Sequence, residues 1–466
     1  MVARWLDPNS FGTWEVIVTL VSFSAYPVGI VSYWATRDVA RGKMVGRTAL
    51  AAGGLMSSLG LVLYFAFTLF TYPRINASVL PFLLGALLVP LSYWSAVANS
   101  LVGGFRPGVY GYSLVISELA KLGVAYEALY VYRLGIEGVI VALMAAYLVQ
   151  SLVSTYFVRL TATEKFDFAL TRRWSRLAWL PAMSYLPSVL AIADTVVVAV
   201  AFGPAIVGYY QAAFLIASVV GFSSALAFSL YPLLLRGGGE RLPSITIEFS
   251  LFFGLPMAAG CFVLAGPLLF LLGAKYLPGA IGLAIMAPMF VFSTISWIVD
   301  QTLLGTEKVD LGEKPSFVKL LRSNLLFVPI VNILYAVSYL ALMFVTLSYS
   351  ISAGFSTSTS IGYWAAVQLI ATVVFMLVKA RRVRRYAKLT PGISVVYYIL
   401  AAAVMGGVVY LLAGAFVQQG LGFISYGARL FGVVAVGAAV YFGIVYALDS
   451  RFRDLARSML GRVKLH

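Results

Sequence analysis

The chain has 466 residues, of which 61% are hydrophobic and only 11% charged, with a formal net charge of +16. A water-soluble domain carries roughly 45–50% apolar and about 25% charged residues, so a mean hydropathy of +0.95 excludes one and makes lipid the solvent for most of the chain. A single cysteine, Cys261, and a single histidine, His466, leave almost no room for a Cys/His metal site or a His-based catalytic triad, and one thiol leaves the redox compartment unread.

A bilayer-spanning helix takes about 20 mostly apolar residues. Thirteen such runs follow one another along this chain, so they are not a signal peptide on a soluble body. The first, residues 12–34, is entered from Pro8-Asn9-Ser10-Phe11-Gly12-Thr13-Trp14-Glu15 and is followed by Arg37, Arg41, Lys43 and Arg47. Residues 48–70 and 79–101 come next, joined by a loop with the glycosylation sequon Asn76-Ala77-Ser78. Asn99 is a polar residue toward the inner end of the third run. The fourth, residues 109–130, carries Glu118 and Lys121 near mid-span, three residues apart and so on one helical face. Residues 138–158 form the fifth run, and the polar, basic stretch 159–176 separates it from the sixth, 177–201, which holds Asp194 in its outer half. The segment Pro204-Ala205-Ile206-Val207-Gly208-Tyr209-Tyr210-Gln211 leads into residues 207–235. Runs at 249–272, 281–304, 325–347, 362–378, 394–416 and 430–448 complete the series, with Asp300 near the inner end of the ninth and a basic tail from Asp449. None of the runs alternates polar and apolar residues as the strands of a membrane β-barrel would, so the expected fold class is an all-α integral membrane protein.

The basic residues orient the chain. With the loop after the first run placed in the cytoplasm, 27 of the 33 lysines and arginines fall on the cytoplasmic side. That is the bias of the positive-inside rule. It accounts for the +16 charge without nucleic acid and predicts a multi-pass plasma-membrane protein with a cytoplasmic C-terminus.

The two eight-residue segments quoted above share the pattern Pro-x-x-apolar-Gly-x-aromatic-Glu/Gln and start 196 residues apart, at Pro8 and Pro204. Transporters are commonly built from two such repeated halves. A full run precedes the second copy and none precedes the first. The symmetry therefore predicts 14 spans with one helix upstream of Met1. The expected organisation is an N-terminal lobe at 1–158, an interlobe linker at 159–176, a C-terminal lobe at 177–388, an additional helix pair at 389–448 and a basic tail at 449–466.

Ala3-Arg4-Trp5-Leu6-Asp7-Pro8 with Phe11-Gly12, then Ala193-Asp194, Gly203-Pro204, Val207-Gly208-Tyr209-Tyr210 and Ala213 form an ordered set. Tyr231-Pro232, Lys275-Tyr276 and Leu304-Gly305 with Lys308 extend it. At these residues the chain resembles the Wzx-type polysaccharide flippases of the multidrug/oligosaccharidyl-lipid/polysaccharide exporter superfamily. The resemblance implies two six-helix lobes around a central cavity, two further helices, and movement of a polyprenyl-linked oligosaccharide from the cytoplasmic to the outer leaflet.

Charge within a bilayer is costly and tends to face a partner or a wet cavity. Lys121 is a candidate for a substrate phosphate with Glu118 beside it; the alternative is a locally neutralised structural pair. Asp194, on which the resemblance falls, is a candidate coupling carboxylate for H⁺ or Na⁺ or a sugar contact; the alternative is a helix–helix hydrogen bond. Asp300 reads either as a gating group or as a solvated mouth residue. Glu15 and Gln211, related by the repeat, line an outer gate or supply interfacial polarity. Asn99 is a candidate cavity residue. Arg37, closest to its helix end, is the arginine placed to collect a diphosphate, since guanidinium forks hold phosphate well.

No cofactor is expected. A cation-coupled exporter of drugs or metabolites remains the alternative transporter. A membrane glycosyltransferase would need acidic residues in a sizeable outer loop, and the outer segments offer only Asp7 and Glu137.

Overall fold

The computed structural model describes residues 2–75, 77–159, 164–227, 230, 234, 239–307, 323–387, 389–417, 422–450 and 453. Among these residues the chain is helical and contains no β-strand. In lipid each backbone N–H and C=O must be satisfied within its own segment, and a helix does that. Asn76 of the sequon, Tyr231-Pro232, Lys308 and nearly all of the basic tail lie outside the described residues.

After a short α1 (Val2–Trp5), α2 (Pro8–Ala25) begins with proline in its first turn. Its cap is Asp7, whose carboxylate accepts from the Asn9 and Ser10 amides at 2.9 and 3.1 Å and from the Ser10 hydroxyl at 2.6 Å. Partial burial pushes the Asp7 pKa up, but the Ser10 hydroxyl and the Ser10 and Asn9 amides outweigh it and hold the group below the ordinary carboxylate value. Pro27 lies at the break before α3 (Val28–Ala40), and the pair bends there by 58°, so the first expected run is a bent helix pair and not one straight helix.

The helices α4 (Gly46–Thr71), α5 (Val79–Phe105), α6 (Pro107–Tyr126) and α7 (Gly135–Val158) follow. A nine-residue α8 (Phe168–Arg176) then leads to α9 (Trp179–Ala191), α10 (Ala193–Phe202) and α11 (Pro204–Ala217), which tightens into a 3₁₀ helix at Ser218–Ala227. Beyond it come α12 (Leu242–Val263), α13 (Ala265–Leu272), α14 (Ala280–Gly305), α15 (Asn324–Ser352), α16 (Thr357–Val383), α17 (Ser394–Phe416) and α18 (Phe423–Leu448). Among the described residues eleven helical segments are long and apolar enough to cross a membrane, or twelve with the bent α2–α3 pair. In their described residues all thirteen expected runs fall on helix; the one outside these twelve is α6, diluted by Glu118, Lys121 and several tyrosines, serines and glycines. The run expected at 249–272 is interrupted at Leu264, between α12 and α13.

The chain divides into two compact units, Met1–Gly208 and Tyr209–His466. In the first, α5 packs on α7, α4 and α3, and α6 packs on α7. In the second, α14 packs on α16, α12 and the 3₁₀ segment, and α15 packs on α16. The same scheme is therefore built twice. The helices α9 and α10, expected to open the C-terminal lobe, rest on α3 and α2 in the first unit. In the second, the terminal pair α17–α18 is fastened to α12 and α13 by tyrosines. Tyr441 donates to the Phe252 carbonyl at 2.7 Å and Tyr426 to that of Pro267 at 3.0 Å.

Within the first unit the repeated motif meets its own copy. A side chain at Gly12 would collide with the carbonyl of Pro204, and one at Gly208 with the carbonyl of Pro8. Glycine at both positions lets the N-terminal turns of α2 and α11 touch backbone to backbone.

Candidate functional site

A buried cluster of charge lies in the second unit, where α14, α15 and α16 converge. Lys379 on α16 donates to Asp300 Oδ2 on α14 at 2.8 Å and to Asn332 Oδ1 on α15 at 3.1 Å. The Asn332 amide donates to the same Asp300 oxygen at 3.3 Å. The side chains of Lys379 and Asp300 are 4% and 13% exposed, so this is a buried ion pair. Asp300 Oδ1 is buried and meets no donor among the described residues. A pair like this contributes little net stability, but removing one partner strands the other charge at a cost of about 3–5 kcal/mol.

The neighbouring contacts hold the three helices in register. One turn beyond Lys379, Arg382 donates to Asn324 Oδ1 at 2.8 Å and stacks over Phe327 at 4.1 Å. Val299, Leu303, Val328 and Val383 close an apolar cluster around the same level. Toward the other end, the Trp364 indole donates to the Tyr339 hydroxyl at 2.7 Å, and the Tyr210 ring stacks on Trp364 at 3.6 Å. Asp300 was thus legible as a candidate, whereas Lys379 and Asn332 were not. Lys379 reads as the first of a run of loop cations, and Asn332 as an isolated amide in an apolar run.

The first unit makes the corresponding contact without charge. Ser154 on α7 donates to Asn99 Oδ1 on α5 at 2.8 Å, the Asn99 amide donates to Ser95 Oγ at 3.2 Å, and Ser95 donates to Gln150 at 3.0 Å. Asn99 stands six residues before the end of its helix at Phe105, and Asp300 five before Gly305. Ser154 and Lys379 each stand four residues before theirs, at Val158 and Val383. Asn99 is therefore part of the α5–α7 contact.

The remaining sequence candidates are dispersed. Glu118 and Lys121 pair with each other at 2.6 Å on a largely exposed face of α6, with side chains 50% and 35% exposed. Asp194 is buried at the start of α10, just past the break at Ile192, where it accepts from the Thr195 amide at 2.7 Å and hydroxyl at 3.3 Å. Glu15 lies one turn past Gly12, and its carboxylate meets no hydrogen-bond or charge partner among the described residues. Gln211 is half-buried on α11, one turn past Gly208. Arg37 is exposed and donates to the Tyr33 hydroxyl at 2.8 Å.

Its neighbour Asp38 was missed. This carboxylate is 1% exposed and accepts from Arg173 at 2.6 and 2.9 Å and from the Trp174 indole at 3.0 Å, with Lys43 at 3.4 Å. The one signal was a lone acid among arginines; its main partners lie 135 and 136 residues away.

No family model and no curated protein sequence matches the chain. Solved structures do. A crystal structure of MATE in the bent conformation aligns with 82% of this chain and 92% of its own, at 14% identity and a TM-score of 0.52. The chain has the MATE transporter fold. A mutant of the Vibrio cholerae MATE transporter VcmN aligns with 81% of this chain and 89% of its own, at 16% identity and a TM-score of 0.48. MATE transporters belong to the multidrug/oligosaccharidyl-lipid/polysaccharide superfamily, the one named by the sequence resemblance.

Proposed function

We propose that this MATE-fold chain is a transporter that moves a polyprenyl-linked oligosaccharide from the cytoplasmic to the outer leaflet of the plasma membrane by alternating access, without covalent chemistry. The observation that carries the reading is the set of arginines where α3 ends and α4 begins. Arg37, Arg41 and Arg47 are exposed there, and none has an acidic partner among the described residues. Guanidinium groups in that state suit a diphosphate head group. In this reading the sugar and diphosphate travel through a polar path while the polyprenyl tail stays in the bilayer. Sugar hydroxyls are thereby kept out of hydrocarbon, where each unpaired polar group costs several kcal/mol. Lys121 and Asp194 are assigned to the sugar path.

The carboxylate of Glu15, without a partner among the described residues, favours a second reading, a cation-coupled exporter, because a lone intramembrane carboxylate suits a proton, Na⁺ or an organic cation. Purified protein in liposomes separates the two. A labelled polyprenyl-linked oligosaccharide should cross between leaflets, and Lys121→Ala or Asp194→Ala should slow it without unfolding the protein. Full activity in both variants removes the site assignment. Uptake of organic cations without movement of the labelled lipid replaces the flippase by the exporter.

A further inference from the structure

The helix α8 joins two spans, those ending at Val158 and beginning at Pro181, so it lies at a membrane edge. Its orientation there is fixed. Asp38 holds Arg173 and Trp174, Trp174 is 2% exposed, and the helix packs on α3 and α4. At its start Asp167 caps the Leu170 amide at 3.1 Å, and its own amide donates to Thr48 at 3.0 Å.

With one face so fastened, the opposite face is set by helical geometry. Phe168, Arg172 and Arg176 are spaced i, i+4 and i+8 and fall within about 80° of one another, away from Trp174. All three are exposed, Phe168 by 74%. Neither arginine has an acidic partner among the described residues; of the nearby acids, Asp38 and Asp167 are spent on the latch and the cap.

We propose that this stripe is a binding surface for anionic phospholipid. The two guanidinium forks take the lipid phosphates and Phe168 enters the boundary between head groups and acyl chains. Charge complementarity identifies the occupant. A surface with two unneutralised arginines beside an exposed aromatic ring, at the edge of a bilayer, matches a leaflet carrying net negative charge, and a zwitterionic one leaves it uncompensated. The Asp38 latch ensures that the arginines, not the indole, face the lipid. Bound lipid would then hold the segment between α7 and α9 at the membrane surface.

The test uses the full chain with Cys261→Ser, so that Ser175→Cys on the outward face is the one labelled thiol. The labelled protein is placed in vesicles of phosphatidylcholine with phosphatidylglycerol added, and nitroxide quenchers are carried on one lipid or the other. Quenching should favour phosphatidylglycerol. The preference should fall roughly fivefold with Arg172→Gln and about 25-fold with Arg172→Gln and Arg176→Gln together. It should survive in the Arg172→Lys, Arg176→Lys variant and weaken in high salt. Equal quenching by both lipids, or an undiminished preference in the double glutamine variant, overturns the proposal. So does protection by an added polyprenyl diphosphate with none by phosphatidylglycerol, which would give the stripe to the transported head group.

Discussion

In the first unit α5 and α7 meet through Asn99 and Ser154; in the second, α14 and α16 meet at the corresponding level through Asp300 and Lys379. The helices and their order correspond, and the distance of each residue from its helix end agrees to within one residue, while the chemistry differs. A neutral seam of amides and hydroxyls satisfies itself with hydrogen bonds and is indifferent to ions. An ionic seam is held only while both charges are present. It has a large desolvation cost on each side, and one Asp300 oxygen meets no donor among the described residues. One seam is suited to holding two helices together permanently. The other is suited to a contact that responds when a proton or a charged ligand arrives.

Substitution can break the comparison. The largest effect expected is from Lys379→Met, which strands Asp300 and should lower stability by about 3–5 kcal/mol, read as a loss of melting temperature in detergent. The decisive variant combines Asp300→Asn with Lys379→Ser and so transplants the first unit's chemistry into the second. It should recover most of that stability and still impair transport in liposomes; normal transport would show that the ion pair is only structural. Asp38→Asn removes a buried acceptor whose cations are partly exposed, so a smaller loss of roughly 1–3 kcal/mol is expected, together with faster proteolysis near α8. Ser154→Ala takes one hydrogen bond from the neutral seam and should cost about 1 kcal/mol, with transport preserved.

The smallest effect tests local capping alone. Asp7→Ala should cost about 1 kcal/mol near neutral pH. The pKa of Asp7 is depressed in the fold, so its contribution is present above the unfolded value of about 4 and is lost as pH falls through the folded value. Melting of the wild type and the variant should therefore converge in acid.

The spans were legible because a bilayer selects for composition over some twenty residues, a property any long window of sequence displays. The Glu118–Lys121 pair was legible because its geometry is local to one helix. Distance in sequence hid the rest. Asp300 and Lys379 are 79 residues apart and Asp38 and Arg173 are 135 apart. Lys379 and Arg173 each sit among arginines that read as topology signals. Asn99 showed its polarity but not its direction, since an amide facing a neighbouring helix and one facing a cavity are spelled alike. The breaks at Pro27 and Ile192 were equally silent, because hydropathy passes over a bend without changing.

The contact between the first turns of α2 and α11 constrains two distant segments at once. Gly12 rests on Pro204 and Gly208 on Pro8, so each of the two matching segments is the mould for the other. The contact is made by main chain, and it therefore exempts the surrounding side chains from matching. The side chains around it can vary freely, while two glycines 196 residues apart are both required, because a methyl group added to either one meets the main chain of the other segment.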